Sequence, residues 1–146
     1  MTHQAIEFLI PGQPVAKSRP KFARRGNFTT TYTPEKTVNY ETLVKLAAAD
    51  AMAGTAPIAG PVRLQLVINL QIPQSWSKKR QAMAESGQIA ATKKPDADNV
   101  LKAVKDGMNG IVYHDDAQAV ELAISKRYST LPGVRVVVTQ IDAEAA

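Results

Sequence analysis

The 146-residue chain carries 18 Lys plus Arg against 13 Asp plus Glu, a net charge of +5 at neutral pH, and no cysteine. That length suits one domain (1–146) with a real core, and the missing cysteine excludes disulfides, thiolate nucleophiles and Cys-ligated zinc, in keeping with a reducing, cytoplasmic setting. The start lacks the basic region and apolar run of a signal peptide and no segment approaches 18 uninterrupted apolar residues, so no membrane association is expected.

Residues 5 to 10 read as an opening strand, ended by Pro11-Gly12 and Pro14. A basic loop over 11–33 follows. From Val15 to Thr33 it holds Lys17, Arg19, Lys21, Arg24 and Arg25 and no acid, with Phe22, Phe28 and Tyr32 interleaved. Arg25-Gly26-Asn27 can turn a short hairpin whose return strand is Phe28 to Tyr32. Thr33 as N-cap and Pro34 at the first position predict a helix to about Ala53, whose apolar positions Val38, Leu43, Val44, Leu46, Ala47 and Met52 are only loosely at helical spacing.

Val62 to Leu70 alternates and is β-branched, the clearest strand in the chain. After Pro73, residues 78 to 84 predict a short basic helix. A polar connection then leads to Lys93-Lys94. Ala97 to Met108 predicts a helix with Val100, Leu101, Val104 and Met108 on its apolar side and a C-cap near Asn109-Gly110. Two late strands, about 119–128 and 134–141, flank Leu131-Pro132-Gly133 and are expected to pair as a hairpin, and the tail from about 143 to 146 is expected to fray. The predicted fold class is α+β, a small mixed β-sheet packed with helices.

Two acidic pairs, Asp96 with Asp98 and Asp115 with Asp116, bracket the 97–108 helix; setting these four aside leaves nine acids against 18 bases, a surface that attracts a polyanion. Asp98 and Lys102 lie one turn apart on an edge of the helix away from its apolar stripe, and Asp96 precedes the helix within reach of Asp98. Two carboxylates so placed can share a hard cation, and the next strand can bring Asp115-Asp116 back toward them. A plainer account also holds: an N-cap Asp, an ordinary i, i+4 salt bridge, a turn at Asp115-Asp116 and a solvated basic loop.

Other chemistries lack their residues. Val100 and Leu101 stand where an EF-hand loop needs Asp or Asn and then Gly. His3 and His114 alone cannot build a zinc site, and neither a Walker A loop nor Gly-x-Gly-x-x-Gly is present, so no nucleotide cofactor is expected. A glycosidase carboxylate pair stays open, though a sugar is a poor match for a basic surface.

The run Asp96-Ala97-Asp98-Asn99, Lys102 four residues on, and Asp115-Asp116-Ala117-Gln118 closely resembles the RusA-like Holliday junction resolvases. Gly12-Gln13-Pro14-Val15-Ala16-Lys17-Ser18-Arg19-Pro20 is similar to the basic N-terminal loop of their phage-type branch. The resemblance implies a Mg²⁺-dependent (Mn²⁺ as a possible substitute) homodimeric endonuclease that nicks branched, four-way-junction DNA at paired symmetric phosphates in recombination and repair. Carried over by position, Asp96, Asp98 and Asp116 match the metal-binding catalytic aspartates and Lys102 the catalytic lysine, with Asp115 a bystander. Lys17, Arg19, Lys21, Arg24 and Arg25 are assigned to the DNA backbone, with Lys93 and Lys94 as helpers near the active site. Ala97 departs from the bulkier apolar residue often found between the two aspartates, and an insert over about 75–91 leaves substrate preference open. Trp76 is expected to pack under that insert and His114 to be structural. The alternatives are a less structure-selective DNA nuclease and a catalytically silent DNA-binding protein.

Overall fold

A computed structural model describes residues 4–17, 21–26, 28–32 and 35–144; for 21–25, 28–32 and Lys36 it describes the backbone alone. The elements run β1 (Ala5–Pro11), β2 (Lys21–Arg25), β3 (Phe28–Tyr32), α1 (Glu35–Met52), β4 (Val62–Gln71), α2 (Lys78–Glu85), α3 (Ala97–Met108), a 3₁₀ turn (Asp116–Gln118), β5 (Ala119–Ser129) and β6 (Gly133–Gln140). The fold class is α+β, with a four-stranded mixed sheet in the order β1-β6-β4-β5 and a separate β2-β3 hairpin. No helix among the described residues is long and apolar enough to cross a membrane.

The alternation of β4 decides the centre of the sheet. Val62, Leu64, Leu66, Ile68 and Leu70 are buried on one face while Arg63, Gln65 and Gln71 point to solvent. β4 pairs antiparallel with β6 on one side and parallel with β5 on the other, the parallel pairing being reached through the long connection that carries α2 and α3. The late strands therefore do not form the expected hairpin. Gly133 begins β6 only three residues after β5 ends, yet β4 lies between them. Three linking residues cover the roughly 10 Å between strands two places apart, so β4, with five buried side chains on one face, takes an inner place between β6 and β5.

The β2-β3 turn falls where expected, Arg25 opposite Phe28 with Gly26 at φ 61°; Asn27 lies outside the described residues, as do Thr33 and Pro34 at the start of α1. The packed face of α1 differs from the sequence expectation. Tyr40, Val44, Ala48 and Met52 form its buried stripe, whereas Val38 and Leu46 are exposed. In α3 the expected stripe of Val100, Leu101, Val104 and Met108 is buried, joined by Ala103 and Gly107. Each fully buried valine there contributes about 1.5 kcal/mol or more. Gly107 is where α1 and α3 touch: a β-carbon added to it would stand 2.5 Å from Val44 Cγ1.

β5 ends the sheet, with no strand among the described residues on its outer edge. Leu122 pairs with Leu64 and Ile124 with Leu66, so Val120, Leu122 and Ile124 stand on the face that β4 buries, yet all three are exposed.

Candidate active site

Asp96 sits at the N-cap of α3 with extended backbone (φ −66°, ψ 138°) but its side chain makes no capping hydrogen bond. Asp98 lies in the first turn, and both carboxylates are exposed. Lys102 follows one turn later, also exposed. The surface pair Asp98–Lys102 does not form: the ion pairs among the described residues join Lys17 to Glu41 and Asp106, Arg63 to Glu121, and Arg135 to Glu7. Asp96 lines a cleft of about 480 Å³ whose other walls include Gln13, Pro14 and Ala16 of the N-terminal loop and Lys94 and Asn99.

Two lysines hold the walls of this cleft. Lys126, from the middle of β5, donates to the carbonyls of Lys93 (2.7 Å) and Pro95 (3.0 Å), fixing the segment that delivers Asp96. Lys17 joins the opposite wall to both helices. Its Nζ meets Glu41 of α1 at 2.8 Å and Asp106 of α3 at 2.6 Å, and its backbone amide donates to the Asn99 carbonyl at 2.9 Å. The hydrogen bonds to Asp106 and then Glu41 raise the Lys17 pKa above its ordinary value of 10.5, against a smaller opposing effect of burial. Lys17, expected at the DNA backbone, thus has its charge committed within the fold.

Asp116 opens the 3₁₀ turn. The turn is built by a capping box: Asp115 Oδ1 accepts from the Ala117 amide, and Gln118 Oε1 accepts from the amides of His114 and Asp115. Gln118 Nε2 donates to the carbonyls of Ile58 and Gly60, anchoring the turn to the segment before β4. Asp115 is therefore a structural cap, and its carboxyl beside Asp116, followed by burial, raises the Asp116 pKa; Lys105 opposes the rise. The ring of His114 is exposed, and its backbone amide does the bonding.

The charged groups felt by Asp116 are Asp115, Lys105 and Asp106. Lys105 lies seven residues beyond Asp98, about 10 Å along the helix axis. Consistent with that offset, no three His, Cys, Asp or Glu side chains among the described residues gather where one ion could bind them all. The structure thus brings Asp96, Asp98 and Lys102 together at one end of α3 and leaves Asp116 facing its other half. In donor chemistry the fit to a hard divalent cation is good, since exposed carboxylates are ligands Mg²⁺ takes; among the described residues no third acid gathers with Asp96 and Asp98.

Of the remaining basic positions, Lys93 and Lys94 are exposed on the segment leading to Asp96. Arg19 lies outside the described residues, and the side chains of Lys21, Arg24 and Arg25 do too. Trp76 packs as expected, edge-on to Tyr128 with ring centroids 5.4 Å apart. Sequence reasoning missed Lys126 and Gln118. Lys126 did leave a signal: it interrupts the alternate apolar positions Val120, Leu122, Ile124 and Tyr128 of β5, where a cation needs acceptors.

Comparisons with known proteins give a relative and a family. The chain is 37% identical over 140 residues, 94% of its own length and 98% of the other's, to a protein of Bacillus subtilis (strain 168) described as "Uncharacterized protein YqaN". The family model described as "Endodeoxyribonuclease RusA" matches residues 11–139, from the N-terminal loop through Asp96, Asp98, Lys102 and Asp116 to the last strand, and the chain belongs to that family.

Proposed function

We propose that the chain is a Mg²⁺-dependent endodeoxyribonuclease that resolves four-way DNA junctions by paired symmetric nicks, acting as a homodimer. The observation that carries this reading is the exposed Asp96–Asp98 pair, Asp96 at the wall of a cleft, with neither carboxylate in an ion pair among the described residues and with Lys94 and Lys102 flanking them. Asp96 and Asp98 would hold the ion, with Asp116 as the family's third acid. A divalent ion there supplies hydroxide near neutral pH and offsets charge on the phosphate oxygens.

The protein's own part is positional. Lys126 and Lys17 fix the two walls, so a phosphate entering the cleft meets Asp96 at a set distance from the N-terminal loop. Lys102, one turn from Asp98 and without a carboxylate partner among the described ion pairs, offers its charge to the scissile phosphate. The exposed apolar row on one face of β5, a strand with no outer neighbour among the described residues, supports a second copy docking there, and one site per subunit of a two-fold dimer suits a two-fold-symmetric junction.

The offset of Asp116 from the pair favours one alternative, a DNA-binding protein that keeps the fold without cutting. Incubating the protein with a labelled four-way junction and a linear duplex of the same sequence, each with and without Mg²⁺, separates the cases. Paired symmetric nicks in the junction alone, with metal alone, are expected. Equal cutting of the duplex would make it a less selective nuclease, and binding without cutting under every condition would leave the silent DNA-binding protein.

A further inference from the structure

The insert between β4 and α3 adds to Lys93 and Lys94 three cations that the site described above does not use. α2 opens with Lys78, Lys79 and Arg80, all exposed, and its first turn holds no acid. Cations at a helix N-terminus oppose the helix dipole, so this order of residues works against the helix that bears it. None of the three takes part in the ion pairs of the described residues. The charges are nevertheless drawn together. The Arg80 guanidinium lies 4.3 Å from the centre of the Trp76 ring and the Lys93 ammonium 5.3 Å from it, so one indole gathers cations from two segments. Tyr128 braces that ring from β5, and Ser77 fixes the helix start by accepting from the Arg80 amide at 3.2 Å.

Lys94 then continues the group to the cleft that Asp96 lines. From Ser75 to Lys94 the chain has five cations and a single acid, Glu85 at the far end of α2. Like charges held this close repel, and an anion spanning them removes the repulsion. Lys78, Lys79 and Arg80 share one helical turn of about 5.4 Å, over which one strand of duplex DNA presents about two phosphates, and Lys93 and Lys94 extend the row.

We propose that the insert is a second DNA-contacting surface, in which Lys78, Lys79, Arg80 and Lys93, organised by Trp76, grip the phosphate backbone of the strand next to the Asp96–Asp98 site. This rests on the reading of the chain as a DNA nuclease and adds to it where the strand runs beyond the cut.

Trp76 is the chain's single tryptophan, so its emission reports on this surface alone. Binding of a labelled four-way junction without Mg²⁺ would be followed by anisotropy across a salt series, for the wild type and for Lys78→Ala/Lys79→Ala/Arg80→Ala. The slope of log affinity against log salt should shrink by about 2 to 3 in the variant, at about 0.9 per phosphate contact, with affinity down about tenfold or more at moderate salt. Iodide should quench Trp76 in the free protein, and saturating junction should protect it. A triple variant with the wild-type slope, or a Trp76 as quenchable in the saturated complex as in free protein, would overturn the proposal while leaving wild-type binding and cutting, and so the nuclease reading, intact. A wild type that neither binds nor cuts branched DNA would remove both.

Discussion

Lys126→Met should loosen the segment that presents Asp96 without touching any acid. The wild-type ammonium makes two bonds, to the carbonyls of Lys93 and Pro95, at 2.7 and 3.0 Å. A hydrogen bond from a charged donor contributes about 1.5–3 kcal/mol, but here water can reach both carbonyls once the lysine is gone, so the combined loss should be about 1–2 kcal/mol. For a chain of this size that lowers the melting temperature by about 3–8 °C. The local effect should be larger than the global one. Amide hydrogen exchange at 93–100 should speed up more than in the core strand β4, and the Mg²⁺ concentration for half-maximal junction cutting should rise severalfold. Lys126→Arg, which keeps donors and charge, should recover most of both. A Met variant with wild-type exchange at 93–100 would show that Lys126 does not hold the segment, and the reasoning would fail whatever the cutting assay gave.

Asp98→Asn should reduce junction cutting at least about 100-fold while leaving junction affinity equal or slightly higher, since it removes negative charge and no cation; gel assays of cutting and binding on one preparation check both. Tyr40 buries its hydroxyl without a partner among the described residues, so Tyr40→Phe should be neutral or stabilise by up to about 1 kcal/mol in urea melts. A loss beyond that would mean a partner exists. Lys17→Met should cost about 1–2 kcal/mol at neutral pH, a range held down because the pairs are partly open to solvent. Because the carboxylates raise the pKa of Lys17, its contribution is complete below 10.5 and is lost as pH climbs through the folded-state value. Wild type and variant should differ by a constant amount from pH 6 to 9 and converge above about pH 10.5, and a gap that stays flat to pH 12 would contradict the ion-pair account. In Gly107→Ala the new β-carbon would lie 2.5 Å from Val44 Cγ1, so overpacking of about 1–3 kcal/mol should outweigh the roughly 1 kcal/mol gained in helix propensity.

What the sequence made legible were elements with strong local periodicity. α3 matches its expected span because its apolar stripe, capping Asp and following Asn-Gly all point the same way, and β4 is marked by clean alternation. The pairing of β5 and β6 was not legible, because a short polar turn looks the same whether the strands it joins are adjacent or have a third between them; the choice is made by β4, sixty residues earlier. The stripe of α1 was misjudged because its small and aromatic members, Ala48 and Tyr40, carry less weight in a hydropathy pattern than the exposed Val38 and Leu46. At the site, Asp96, Asp98 and Lys102 could be placed on one helix end from spacing alone. The partners of Lys17 and Lys126 could not, since a lysine's distant acceptors leave no trace in its neighbours.

The close approach at Gly107 limits how α3 can tilt against α1. From there to the first turn of α3 is about 15 Å, so a tilt of only about 4° would carry Asp96 and Asp98 through about 1 Å. Reactive geometries tolerate about half that displacement. The approach at Gly107 to Val44 is thus one of the contacts that fix the tilt of the helix carrying the acids. The aim of the acids therefore depends on the far end of the helix as well as on Lys126, through a missing side chain that touches neither acid.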